Sequence, residues 1–224
     1  MSDSTKSSAR PRMFQDRRAA GRLLGEALAA KYSGPDVIVL GLPRGGVPVA
    51  VEVARRLGAP LDVIVVRKLG APFNPEQAVG AIASGGVVVL SPDGLAATGL
   101  REDDIEPILA RERAELERRE RLYRRGRSGP DVDGKTVILV DDGVATGATM
   151  EAAVRAVRAG SPRRVIAAAP TASCEAAEML ERVADAVEFL YTPKPYVAVG
   201  LWYVSFPQLT DDEILGLLDG NAGG

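Results

Sequence analysis

Histidine is missing from this 224-residue chain, and cysteine occurs once, at Cys174. The first absence removes the side chain most often used as a general base and metal ligand near neutral pH. The second excludes an internal disulfide and every zinc site built on several cysteines. Aromatic residues are scarce, 4% in all with a single Trp, so a core must rest on Val, Ile, Leu and Ala, which parallel strands buried on both faces favour. No apolar run approaches the length of a membrane span, and the opening MSDSTKSSARPR lacks the apolar centre of a signal peptide. A cytoplasmic protein with no membrane partner is expected. Neither sign of charge dominates, with 28 Lys and Arg against 30 Asp and Glu; no global field recruits nucleic acid, and any anion site has to be local. Chemistry must come from carboxylates, Lys and Arg, hydroxyls and backbone amides.

What is present is an alternation of short β-branched runs and helical patterns. Residues 1–15 are expected to be a disordered tail, because Ser, Lys and Arg offer little to bury; residues 16–224 suit a single domain. Ala20, Leu24, Ala27, Leu28 and Lys31 lie at helical spacing within 16–31, and Ser33-Gly34-Pro35 stops that helix. A strand at 37–40, a glycine-rich turn at 41–46, a helix at 47–57 and a strand at 61–66 follow. Then comes an excursion to about residue 131, with short strands at 78–83 and 87–90, a turn at Ser91-Pro92-Asp93-Gly94 and a charged helix at 103–125. Ile105, Leu109, Leu116 and Leu122 make a narrow apolar stripe on that helix, which suits a surface helix laced with ion pairs; a homodimer contact is the alternative. Strands at 136–140, 164–169 and 187–190 alternate with helices at 149–159 and 173–183. Five apolar strands with helices between them imply an α/β fold: a doubly wound, mainly parallel sheet. Residues 191–224 differ, collecting Trp202, Tyr203 and Phe206 in a chain otherwise poor in aromatics.

Two loops carry the chemistry. After the run Val137-Ile138-Leu139-Val140 come Asp141 and Asp142, then Gly143-Val144-Ala145-Thr146-Gly147-Ala148-Thr149. A buried strand thus delivers two adjacent acids to the carboxyl edge of a sheet, where open α/β proteins bind ligands. The loop that follows opens a helix, and its amides, the helix dipole and two threonine hydroxyls suit a phosphate. Acids beside an anion cradle fit a sugar phosphate, the acids meeting hydroxyls or a cation. A mononucleotide P-loop is excluded, since no Gly-Lys-Ser/Thr ending is present. The second loop, Gly41-Leu42-Pro43-Arg44-Gly45-Gly46, follows the first strand; its glycines let amides approach a diphosphate, and Arg44 offers a forked donor. Arg67 and Lys68 close the second strand, where one of them is placed to reach pyrophosphate; solvated strand-end charges are the alternative.

The run 137–149 resembles the phosphoribosyl pyrophosphate signature of type I phosphoribosyltransferases, two acids followed by a turn and Thr-Gly-x-Thr, and the loop with Arg44 resembles that family's pyrophosphate loop. The resemblance covers about residues 36–190. It implies transfer of 5-phosphoribose from phosphoribosyl pyrophosphate to a small nitrogen acceptor such as a nucleobase, assisted by Mg2+ and releasing pyrophosphate. Asp141 and Asp142 would be the catalytic acids, holding ribose hydroxyls or metal, with Mg2+ bound mainly through the substrate. Val144, Ala145, Thr146, Gly147, Ala148 and Thr149 would surround the 5-phosphate; Arg44, Gly45, Gly46 and Lys68 would serve pyrophosphate. Residues 70–130 would hold an insertion whose part at 70–99 is a mobile cover, and 191–224 a hood with Trp202 as a wall of the acceptor pocket. Hypoxanthine and guanine enzymes of this family tend to carry Asp directly before Thr-Gly, whereas this chain has Ala145, which argues against such an acceptor. Two other readings stay open: a regulator that binds phosphoribosyl pyrophosphate without turnover, and an unrelated sugar-phosphate enzyme.

Overall fold

The computed structural model describes residues 13–220, and the expected tail at 1–12 lies outside them. Residues 13–15 correct the expectation of a tail reaching to 15. Phe14 is buried, its amide donates to the Trp202 carbonyl at 2.8 Å, and its ring packs on Tyr203 with centroids 5.6 Å apart. An aromatic ring has surface to bury, and the C-terminal segment supplies a partner.

Helix α1 (Arg17–Ala29) starts at Asp16, whose carboxylate accepts from the Ala19 amide at 2.7 Å. Strand β1 (Val37–Gly41), helix α2 (Gly46–Leu57) and strand β2 (Leu61–Val63) follow. The single strand expected at 61–66 is divided here: β2 ends at Val63, and β3 (Val66–Ala71) joins a different sheet.

Residues 70–99, expected as a mobile cover, are folded into regular elements. β3, β4 (Asn74–Ala83) and β5 (Val87–Leu90) form an antiparallel sheet. The turn expected at 91–94 is instead the start of α3 (Pro92–Thr98): Ser91 caps it, its Oγ accepting from the Gly94 amide at 3.0 Å, and Pro92 sits where a helix does not miss its N–H. Helix α4 (Glu106–Arg124) lies against this sheet. Ile105, Ile108, Leu116 and Tyr123 share a buried core with Leu69, Val79 and Ile82 of the sheet. Ile214, Leu215 and Leu218 of α7 (Asp211–Asp219) close that core. The apolar stripe of α4 is therefore used inside the chain.

Regular alternation resumes with β6 (Thr136–Val140), α5 (Ala148–Arg158), β7 (Arg164–Thr171), α6 (Cys174–Leu180) and β8 (Ala186–Tyr191). Among the described residues, the main sheet has five parallel strands in the order β2-β1-β6-β7-β8. Alternate residues of each strand go to opposite faces. Val37, Val39, Ile138 and Ile166 pack with Leu24 and Leu28 of α1 and Val49 and Val53 of α2. Ile38, Leu40, Val137, Leu139 and Val165 pack with Val154 of α5 and Leu180 of α6. Helices on both faces of a parallel sheet make the fold doubly wound, as the uniformly apolar strands imply. No helix among the described residues is long and apolar enough to cross a membrane.

Candidate active site

Strand pairing decides where the chemistry gathers. β1 and β6 are neighbours, with Gly41 opposite Val140, so the loops leaving both strands emerge side by side at the carboxyl edge. The Leu42 amide donates to the Val140 carbonyl at 2.9 Å. A methyl group added at Gly45 would collide with the Asp142 carboxylate, and one at Gly46 with the Val140 carbonyl oxygen. Glycine at both positions lets the diglycine loop touch the acid pair, which joins the two motifs into one constellation. Arg44 stands exposed at the tip of the first loop, joined to Pro43 by a cis peptide bond.

The second loop is pinned from behind and open in front. Val144 is buried and donates its amide to the Thr171 carbonyl at 2.9 Å. The Ser173 amide donates to the Val144 carbonyl at 2.9 Å, and Ser173 Oγ donates to the Ala145 carbonyl at 2.7 Å. Gly147 has φ of 82° and faces Met179, leaving no room for a side chain. Ala145, Thr146, Ala148 and Thr149 are exposed. The amides that open α5 have no intrahelical acceptors, so they and the exposed threonine hydroxyls are left as donors at this edge, a combination that suits an anion.

The two acids, which the sequence pattern aims together at the ligand, are placed unequally. Asp141 is half-buried, and its Oδ1 accepts from the Asp142 amide at 2.8 Å. Asp142 is 8% exposed and turns inward: Arg17 Nε donates to its Oδ2 at 2.7 Å, and Tyr203 Oη donates to its backbone carbonyl. A carboxylate this deeply buried needs a cation, and Arg17 meets that need. Burial pushes the Asp141 carboxyl well above its usual range, and the Asp142 charge adds to the shift. Burial also raises Asp142, opposed by the hydrogen bond and charge of Arg17.

Arg17 was not legible as a site residue. It is 8% exposed, its Nη1 donates to the Pro207 carbonyl at 2.8 Å, and its guanidinium carbon lies 3.7 Å from the centroid of Phe206. One signal does exist in the sequence: Arg17 shares the buried stripe of α1 with Ala20, Leu24 and Leu28, so a charge heads an otherwise apolar row. Arg67 is engaged away from the loops, because β3 belongs to the antiparallel sheet; it pairs with Glu112 at 2.6 Å. Lys68 is exposed on the same strand.

Trp202 is half-buried and stacks on Tyr196, with ring centroids 6.2 Å apart and planes at 26°. Tyr196 Oη and Thr171 Oγ1 form a 3.0 Å hydrogen bond at the end of β7, so this aromatic pair borders the carboxyl edge. The buried Nε1 of Trp202 has no hydrogen-bond partner among the described residues. No group of three or more acidic, Cys or His side chains among the described residues is disposed to hold a metal ion.

A family model described as the phosphoribosyl transferase domain matches residues 13–188. This chain belongs to that family. Two curated relatives from Mycobacterium tuberculosis, in strains CDC 1551 and H37Rv, carry the provisional name of phosphoribosyl transferase. Each is 46% identical over 208 residues, which is 93% of this chain and 47% of the relative. The chain thus spans about half the length of the curated relatives it matches. The crystal structure of TT1426 from Thermus thermophilus is 49% identical, with a TM-score of 0.81, and the match covers 94% of this chain and 100% of that one.

Proposed function

We propose that the protein transfers the 5-phosphoribosyl group of phosphoribosyl pyrophosphate to a small nitrogen acceptor of the nucleobase kind. One observation carries the reading: an acid pair, the open amides at the start of α5 and a diglycine loop meet at the ends of two adjacent parallel strands, with Gly45 packed on Asp142. Thr146, Gly147, Ala148 and Thr149, with Val144 and Ala145 shaping the loop, hold the 5-phosphate. Arg44, Gly45 and Gly46 hold the pyrophosphate, with Lys68 as a further cation toward it, and the loop that carries the acids faces the ribose hydroxyls. In the reaction the acceptor nitrogen bonds to the anomeric carbon while the bond from that carbon to the pyrophosphate oxygen breaks, the electron pair leaving with pyrophosphate and the acceptor's proton passing to the released pyrophosphate or to water. The fixed dipoles and charges of the loops favour the positive charge that spreads over the ribose and the negative charge that collects on the leaving group. Mg2+, when held by the substrate oxygens beside Asp141 or Asp142, supplies further neutralisation of that pyrophosphate.

Trp202, stacked on Tyr196 near Thr171, forms a wall of the acceptor pocket in this reading, and Ala145 disfavours a hypoxanthine or guanine acceptor. The test has two steps. Calorimetry with phosphoribosyl pyrophosphate and Mg2+ should show binding and a raised melting temperature; no binding at millimolar ligand would overturn the proposal. Pyrophosphate release is then followed across a panel of bases. Binding without release for any of them would instead support a regulator that senses the ligand. Trp202→Leu should raise the KM for the acceptor and leave that for phosphoribosyl pyrophosphate unchanged, a base stacked on an aromatic ring contributing about 1–3 kcal/mol.

A further inference from the structure

The two acids at the end of β6 are neighbours in sequence but are held by different parts of the molecule. Asp141 accepts from the neighbouring Asp142 amide, and it stays half-buried at the ligand edge. Asp142 is more deeply buried and is held by Arg17, from the first turn of α1, across 125 positions of sequence. The same guanidinium donates to Pro207 and lies over Phe206, both in the segment that precedes α7. Three further bonds zip the chain ends together beside it: Phe14 to Trp202, Val204 to Phe14 and Ser205 to Gln15. The Asp142 carboxylate also packs against the backbone of Gly45. One guanidinium therefore connects the acid loop, the diglycine loop and the joined chain ends.

We propose that Arg17 is a positioning residue for the transfer reaction: it holds the Asp142 carboxylate inward as a strut, leaves Asp141 as the acid that meets the ribose hydroxyls, and ties their loop to the terminal segment. The proposal rests on the phosphoribosyltransferase reading above. Its physical core is that a buried charge tolerates the loss of its partner badly, whereas removing both charges together is far less damaging. Without Arg17 the Asp142 carboxylate is left as an unbalanced negative charge directly beside Gly45, in the loop meant for pyrophosphate. The groups facing it are then Asp141, Tyr196 and Tyr203, none of which is a cation.

Four variants separate this role from a direct one: Arg17→Met, Arg17→Lys, Asp142→Asn and Arg17→Met combined with Asp142→Asn. Affinity for phosphoribosyl pyrophosphate with Mg2+ is measured by calorimetry, and amide hydrogen exchange over residues 141–149 is measured without ligand. Arg17→Met should weaken binding at least tenfold and speed exchange in the loop. Adding Asp142→Asn to it should restore at least threefold of the affinity and slow the exchange again, and Arg17→Lys should fall between wild type and Arg17→Met. Losses that add up, with the double variant the weakest binder, would overturn the proposal and return Asp142 to the ligand. A wild type that fails to bind would overturn the transferase reading itself. The exchange comparison without ligand then still decides whether Arg17 braces the loop: no change on Arg17→Met would remove even that part.

Discussion

Charge is used in opposite ways at two places in this molecule. Along α4, arginines and glutamates neutralise one another at spacing three and four: Arg118 and Arg119 meet Glu115, Arg121 meets Glu117 and Arg124 meets Glu120. Arg118 and Arg121 face water, where such pairs add little to stability. At the end of β6, two carboxylates lie side by side, one half-buried and one buried, and a single guanidinium answers them. There the arrangement opposes stability, since burial raises both carboxyls. The lesson is that the number of charges says little about a region's task. What matters is whether the charges are balanced locally and whether water reaches them.

The sharpest test of that contrast is Asp141→Asn. Turnover of phosphoribosyl pyrophosphate should fall about 100-fold, the scale of losing one preorganised charge contact, while the ligand-free protein gains thermal stability at pH 7. The sign follows from the raised carboxyl: the folded state holds the proton more tightly than the unfolded chain. Stability then declines as pH rises from the unfolded value, about 3.9, through the raised folded one, and the Asn variant should lack this decline. Pyrophosphate release and pH-dependent melting curves check both halves; a variant less stable than wild type at pH 7 would break the comparison.

Next in size is Gly45→Ala. The added methyl group must push the Asp142 carboxylate aside, so affinity for phosphoribosyl pyrophosphate should drop about tenfold, and stability should fall by about 1–3 kcal/mol, as for other overpacked sites. Calorimetry and chemical denaturation read the two effects.

Glu112 sharpens the contrast from within α4 itself. It is 6% exposed and accepts from Arg67 Nη2 at 2.6 Å and Nε at 2.9 Å. Glu112→Gln should therefore destabilise by about 1–3 kcal/mol, as expected when a buried charged hydrogen bond is broken, and leave ligand affinity in place. The smallest effect belongs to Glu115→Gln, one turn further along. Hydrogen bonds from Arg118 and then Arg119 hold the Glu115 carboxyl down to about 2. Its contribution is present above the unfolded value and disappears as pH falls toward 2. Denaturation at pH 7 should show a loss below about 1 kcal/mol, vanishing near pH 2, with no change in catalysis.

Much of the architecture was legible in the chain. β1, β6 and β7 read as strands because uniformly apolar β-branched runs suit strands buried on both faces, and the two loops read as anion sites because glycine and threonine occur where amides must be bare. The insertion was harder. Residues 70–99 look like a bare cover because their Gly and Pro suggest turns. Strands at 78–83 and 87–90 were legible even so; Leu69, in contrast, becomes a strand residue only through the second sheet, which α4 and α7 cover. Phe14 likewise looked like part of a tail, since its partner Tyr203 lies 189 positions away in sequence.

By itself the sequence determined what is local: the strands β1, β6 and β7, the acids at the end of β6 and the glycines of both loops, set by period, turn chemistry and backbone freedom. The tertiary structure alone decided which acid faces outward. That choice depends on Arg17, which comes from another helix, and on the chain ends that hold it, and no spacing within 137–149 encodes a partner 125 residues away. Two adjacent aspartates are chemically equivalent in an extended chain; burial beside a cation makes them different.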